Sequence, residues 1–488
     1  MTAPVPAADQ LFSVALESVQ TYPLEKGRRP AFALPPAAPR RPRVTGGAVS
    51  GPDGDIWSTL ASLRAGRLSV RDLIRGCLER IEAHSDRLVA FEFVANVQEY
   101  ALRLDNETAS GTTRGPLHGI PISVKDIIDV KGMPTTGSSR ALPPHVAGHD
   151  ATAVKHLRDA GAVLIGKTVT HEFALGVTTP QSRNPWDETR VPGGSSGGSA
   201  IAVATRMSLG SLGSDTRASI RVPAALSGVV GFRPTTGLVP IDSWLTLSWS
   251  LDVLAPLARS VRDIALLIDV LTASGSRFRD ALPGSISGLK IGYSDAFGAG
   301  REAGVDERFE ASLEAARKAG AEVVQCHALT EEDVQLANYA GMIISRVEAA
   351  QFHSDAGTDL AMCTPEVRTQ LSQAGEVAAV DYVRCLRIRE KLHERFLGAF
   401  SGIDLLIMPT SGVVAPAVEE AAKYLLVLSE TCIPWSLVGF PAISLFSGMS
   451  DGLPTGVQLV APSSQDAFLL AAAHALEREL PPIPEWPE

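Results

Sequence analysis

Strand-like and helix-like patterns alternate along most of this 488-residue chain. That alternation predicts an α/β protein with a large mixed β-sheet core covered by helices on both faces, in a single large domain. Three observations lead there. Short apolar runs end abruptly at glycine or charge, as strands buried on both sides do. Between them, leucines and isoleucines recur at helical spacing. After residue 50 neither an internal repeat nor a linker composition breaks the chain, although its length alone would admit about three domains.

Residues 1–50 are rich in Pro and Ala and carry Arg28, Arg29, Arg40, Arg41 and Arg43. They read as an arm with one short helix from Asp9 to Val19. Residues 51–488 form the body. Leu60, Leu63, Leu73, Leu78 and Ile81 mark the first of two or three helices that reach about Leu104, with Ser69 as N-cap of the helix starting near Val70. Pro116 to Asp126 is a strand pattern that ends in charge, and a helix follows over 151–160. Further strands are expected at Ala162–Gly166, Leu289–Gly292, Ala321–Val324 and Leu405–Met408. Residues 331–400 read as helical.

Gly161 to Thr168 satisfies the phosphate-loop pattern GxxxxGK[ST]. In a working phosphate loop the residues between the glycines form a turn that follows a strand. Here they are themselves the strand, so nucleotide binding is rejected.

Apolar residues make up 45% of the chain and charged ones 20%, which assures a sizeable core. The net charge of −10, with no basic cluster to offset it, argues against nucleic acid as a partner. No apolar run is long enough to predict a membrane span. Cys77, Cys326, Cys363, Cys385 and Cys432 are scattered without CxxC spacing, so no thiolate metal site or disulfide framework is expected and a cytoplasmic location fits.

Serine and glycine are concentrated in Gly193-Gly194-Ser195-Ser196-Gly197-Gly198-Ser199, inside an apolar stretch, and Ser214-Asp215-Thr216-Arg217-Ala218-Ser219 follows shortly after. A serine nucleophile needs a base. None of the ten histidines stands in a hydrolase signature. Lysine can serve if burial lowers its pKa by roughly 2 to 3 units. Lys125 suits this, because Ile120, Ile122 and Val124 lead a buried strand to it; Asp126, its neighbour on an extended chain, points to the opposite face. Taken singly, Lys125 also fits a surface lysine at a strand end. Ser199, Ser214 and Ser227 read as small core or cap residues.

Pro192 to Ser199, Asp215-Thr216, Ser219-Ile220-Arg221 and Pro223-Ala224 together resemble the signature of the amidase signature family of serine hydrolases. Ser195 and Ser219 stand 24 positions apart, as in that family. The resemblance covers roughly residues 56 to 478, including Gly119-Ile120-Pro121, Val124-Lys125-Asp126, Asn184-Pro185-Trp186, Gly231 to Thr235, Met408-Pro409-Thr410 and Gly439 to Ala442. It implies the amidase signature fold, a catalytic domain over 51–488, and a helical segment at 331–400 on the substrate side. It further implies Ser219 as nucleophile, Ser195 as bridging serine on a cis peptide bond, and Lys125 as base. The N–H groups of Thr216, Arg217, Ala218 and Ser219 would form the oxyanion hole, with Ser196, Asp215 and Arg221 in support, and neither metal nor cofactor would be needed.

The chain departs from the family at Arg217-Ala218, where Gly-Gly is usual. Positive φ at either position would strain it. Negative φ at both would let Arg217 turn toward solvent or an internal carboxylate, or border the cleft and either narrow it or favour a substrate with an anionic or strongly polar carbonyl substituent. Phe173, Trp244, Trp249 and Trp435 are candidates to line an apolar pocket, each also at home in a core. The expected activity is hydrolysis of a carboxylic amide, carbamate or urea-type C–N bond, with a small-molecule substrate and a homodimer as candidate assembly. Two alternatives share the fold: the catalytic subunit of a tRNA-dependent glutamine amidotransferase, and a catalytically silent binding or assembly subunit.

Overall fold

The computed structural model describes residues 8–24, 54–242, 245–297 and 300–487. Eleven strands form one sheet: β1 (Phe91–Val94), β2 (Pro121–Lys125), β3 (Val163–Thr168), β4 (Gly210–Asp215), β5 (Val230–Arg233), β6 (Val253–Ala258), β7 (Lys290–Tyr293), β8 (Glu322–Gln325), β9 (Leu405–Pro409), β10 (Ala442–Ser450) and β11 (Leu453–Val460). Their order is β1-β3-β2-β4-β6-β5-β10-β11-β9-β7-β8. β2 runs parallel to β3 and β4, and β7 parallel to β8 and β9, while the other pairs are antiparallel. The sheet is therefore mixed, as the alternation of patterns implied.

Alternation along the strands divides the core in two. In β9, Leu405 and Ile407 join one cluster with the helices Val70–Leu88, Val261–Leu271 and Asp466–Glu477, while Leu406 and Met408 join another with Glu331–Asp355 and Ala379–Gly398. Successive side chains on a strand face opposite ways, so helices cover both faces of the sheet.

The helix from Val70 starts where Ser69 accepts from the Asp72 N–H at 3.0 Å. The arm carries a helix, Ala8–Thr21, that packs Leu11, Phe12, Ala15 and Val19 against Glu331–Asp355 and Ala379–Gly398. Arg28, Arg29, Arg40, Arg41 and Arg43 lie outside the described residues, as does Trp244. The phosphate-loop pattern falls on β3, a strand as expected, and Lys167, wholly buried, meets the Asp126 carboxylate at 3.1 Å and donates to the Pro134 carbonyl and the Thr135 hydroxyl. Its ammonium is thus part of the core's polar wiring.

Several strands carry weak sequence signals. β4, Gly-Ser-Leu-Gly-Ser-Asp, is wholly buried but built of small polar residues, so it lacks the apolar run of a central strand. The β10–β11 hairpin turns at Asp451-Gly452, both at positive φ, a dipeptide suited to tight hairpin turns. Among the described residues no helix is long and apolar enough to cross a membrane, and all five cysteines are free and buried.

Candidate active site

β2 and β4 are parallel neighbours, so their C-terminal ends meet at one edge of the sheet. Lys125 is the last residue of β2, and Ser214-Asp215 ends β4. Lys125 Nζ donates to Ser195 Oγ at 2.7 Å and to Ser214 Oγ at 3.0 Å. The lysine is 0% exposed. Burial pushes its pKa down to about 7, although Asp252 and Asp215 pull the other way. Asp126 instead accepts from the N–H of Thr136 at 3.0 Å and faces Lys167, so it stays clear of the Lys125 ammonium.

The Gly194–Ser195 peptide bond is cis. The Ser195 carbonyl accepts from the His171 N–H at 3.0 Å and from the Thr179 hydroxyl at 3.2 Å. Gly193 has φ +82°, and at Gly198 a β-carbon would fall 2.5 Å from the Ala90 carbonyl oxygen. The first position needs glycine's conformational freedom and the second its lack of a side chain. The buried helix Gly197–Ala204 begins at once and packs against β2, β3 and β4. Ser196 connects the two serine segments: its N–H donates to the Ser219 carbonyl at 3.2 Å, and its hydroxyl to the Ser214 carbonyl at 3.2 Å.

Beyond β4 the chain turns through Thr216, Arg217, Ala218 and Ser219 into the helix Arg221–Ser227. Neither Arg217 nor Ala218 has positive φ, so a β-carbon at these positions brings no backbone strain. Ser219 is 4% exposed. No backbone carbonyl among the described residues accepts from the N–H groups of Arg217, Ala218 and Ser219.

A buried charge network holds this turn. Asp215 pairs with Arg221 and Arg233, each at 3.1 Å, and all three side chains are fully buried. Burial alone would raise the Asp215 pKa, but the two guanidinium groups outweigh it and hold the carboxyl below its usual range. Arg221 Nη2 donates to the Arg217 carbonyl at 2.9 Å, and Ser436 Oγ to the same oxygen at 2.7 Å. On the other side Thr216 Oγ1 donates to Asp252 at 2.5 Å. Burial pushes Asp252 up to about 7.

The aromatic candidates are dispersed. Trp435 is wholly buried among Phe297, Phe396 and Phe400. Trp249 is exposed at the surface, and Phe173 stacks on His353 with centroids 4.4 Å apart. None of these three lines the cavity bordered by Arg217, whose wall includes Val177, Met342, Arg346, Glu366 and Ile433. Sequence reasoning reads Ser214 only as a small core or cap residue and passes over Arg346. Ser214 sits on a strand without an apolar signature, and Arg346 lies in the stretch 331–400, which the sequence marks only as helical.

This fold, with a lysine and two serines joined at one sheet edge, defines a class of C–N hydrolases. The family model "Amidase" matches residues 72–470, and the chain belongs to the amidase signature family. It is 34% identical over 477 residues to a glutamyl-tRNA(Gln) amidotransferase subunit from Chloroflexus aurantiacus, covering 88% of this chain and 96% of the relative. A crystal structure of an amidase superposes with a TM-score of 0.80 at 34% identity, over 88% of this chain and all of the other. The glutamyl-tRNA(Gln) amidotransferase subunit from Thermotoga maritima superposes with 0.72 at 31% identity, over 86% and 95% of the two chains.

Proposed function

We propose that the protein cleaves the C–N bond of a carboxylic amide or carbamate through an acyl-enzyme on Ser219, with Ser195 relaying a proton to Lys125. The observation that carries this reading is the contact of Lys125 with Ser195 in a sealed core, where burial lowers the amine's pKa to about 7 and so makes its neutral form accessible near neutral pH. A neutral amine accepts a proton; an ammonium cannot. Ser219 Oγ attacks the carbonyl and its proton passes through Ser195 to Lys125. The N–H groups of Thr216, Arg217, Ala218 and Ser219 receive the oxyanion, an interaction worth about 3 to 4 kcal/mol per donor in acyl transfer. The proton returns to the leaving nitrogen, and water then releases the acyl group. A screen of aryl amides, aliphatic amides and carbamates for released amine or ammonia tests this. At least one class turns over, and Ser219→Ala loses about a thousandfold or more; equal rates in the two proteins would overturn the assignment.

The curated relatives support a second reading, the catalytic subunit of a tRNA-dependent glutamine amidotransferase, because the name of the Chloroflexus protein describes a subunit with that task. The chemistry at Ser219 would be the same, with glutamine as the amide and a partner protein receiving the ammonia. Glutaminase activity that appears only with added partner subunits would select this reading. Turnover of simple amides by the isolated chain would select the first.

A further inference from the structure

The cavity beside the nucleophile turn contains two guanidinium groups. Arg217, two positions from Ser219, and Arg346, on the helix Glu331–Asp355, line it with the apolar Val177, Met342 and Ile433. Arg346 is 7% exposed, and its Nε and Nη1 have no hydrogen-bond partner. Its guanidinium lies over the Phe12 ring, 5.2 Å from the centroid, which packs one face and satisfies no N–H. No ion pair among the described residues engages Arg217.

One carboxylate shares the wall. Glu366 faces both His171, at 3.6 Å, and Gln370, which donates to it at 3.1 Å. It leaves two cations facing one anion that is already engaged. Burial lowers the pKa of both arginines, and the charge of Arg217 lowers that of Arg346 further, which the Glu366 carboxylate offsets only in part. Buried guanidinium groups are ordinarily paired, and their planar forks match a carboxylate.

We infer that the cavity binds a carboxylate of the substrate between Arg217 and Arg346, so that the protein acts on amides bearing a carboxylate a few bonds from the scissile carbonyl. This rests on the acyl-enzyme reading and narrows its substrate class. The carboxylate can belong to the acyl part, as in the monoamide of a dicarboxylic acid, or to the leaving amine, as in an N-acyl amino acid. Both present the same group to the arginines.

Two matched pairs separate these sources: succinamate against butanamide, and N-acetylglycine against N-ethylacetamide. The charged member of at least one pair should have a kcat/KM about tenfold or more above its neutral partner. That ratio should fall about tenfold in Arg346→Met and in Arg217→Met, chiefly through KM, and recover in part in Arg346→Lys. Equal kcat/KM within both pairs, or ratios unchanged in both Met variants, would overturn the inference. Calorimetric titration of the full-length chain with succinate and with N-acetylglycine keeps the test independent of turnover. Binding of either, lost in a folded Arg346→Met protein, supports the carboxylate site even if the acyl-enzyme reading fails. Binding of neither to the folded wild-type chain overturns it even if Ser219 is reactive.

Discussion

Lys125 Nζ stands 2.7 Å from Ser195 Oγ at the shared C-terminal edge of two parallel strands, where no solvent reaches it. Strand geometry places the amine, Ser214 braces it from the neighbouring strand, and burial sets its protonation near neutrality.

The first expectation concerns pH. In the proposed relay Lys125 acts as a base only when neutral, and burial brings its pKa down to about 7. Measured with an uncharged amide, kcat/KM should rise through an apparent pKa near 7 and level off above it. A limb near 10 would mean that the lysine titrates as an ordinary surface amine.

Asp252 adjusts that limb. Its carboxylate favours the charged form of Lys125, while burial pushes its own pKa up to about 7. Asp252→Asn removes the anion but keeps an acceptor for Thr216, so the Lys125 pKa should fall and the acid limb move to lower pH. A limb that moves upward would contradict the electrostatic assignment.

Asp215 holds the turn that leads to Ser219 through Arg221 and Arg233. Asp215→Asn leaves two buried guanidinium groups without their anion, which should cost about 3 to 5 kcal/mol by urea denaturation. The native Asp215 pKa is depressed, so this stabilisation is present above the unfolded carboxyl's pKa of about 4 and is lost as pH falls through the native value. The stability gap between the two proteins should therefore shrink in acid.

Gly198→Ala tests the close packing behind Ser195. The new methyl would meet the Ala90 carbonyl at 2.5 Å and the Val169 backbone at 2.7 Å, and backbone cannot yield as a flexible side chain does. A loss of about 1 to 3 kcal/mol in stability is expected, with reduced turnover because the helix that follows Ser195 is displaced. Unchanged melting and unchanged turnover would contradict the contact.

The site is partly legible in the sequence because its chemistry is concentrated. Ser195 announces itself by glycine and serine density and Lys125 by the apolar strand that delivers it, whereas Ser219 is singled out only by the resemblance to the family signature. Ser214 reads as a filler because β4 carries almost no large apolar side chains; its place beside Lys125 appears only once β2 and β4 are paired. The fold follows the same division. Apolar runs such as β3 and β9 stand out, whereas β4 carries almost no large apolar side chain and shows no such run. Arg217 draws notice as a departure from a pattern, yet Arg346, 129 positions away, joins it only through packing of the helix over the cavity. Trp435 shows the reverse: a candidate to line a pocket in the sequence, it lies wholly buried among Phe297, Phe396 and Phe400.

The measurement that bears most directly on the central claim is intact mass after treatment with a fluorophosphonate. Wild-type protein should gain one adduct, mapped to Ser219 by peptide sequencing and absent in Ser219→Ala, with labelling slowed about a hundredfold or more in Lys125→Met as expected for loss of a base. A folded wild-type chain that takes no label, or takes it on another residue, would contradict the acyl-enzyme account and leave the protein a binding or assembly subunit.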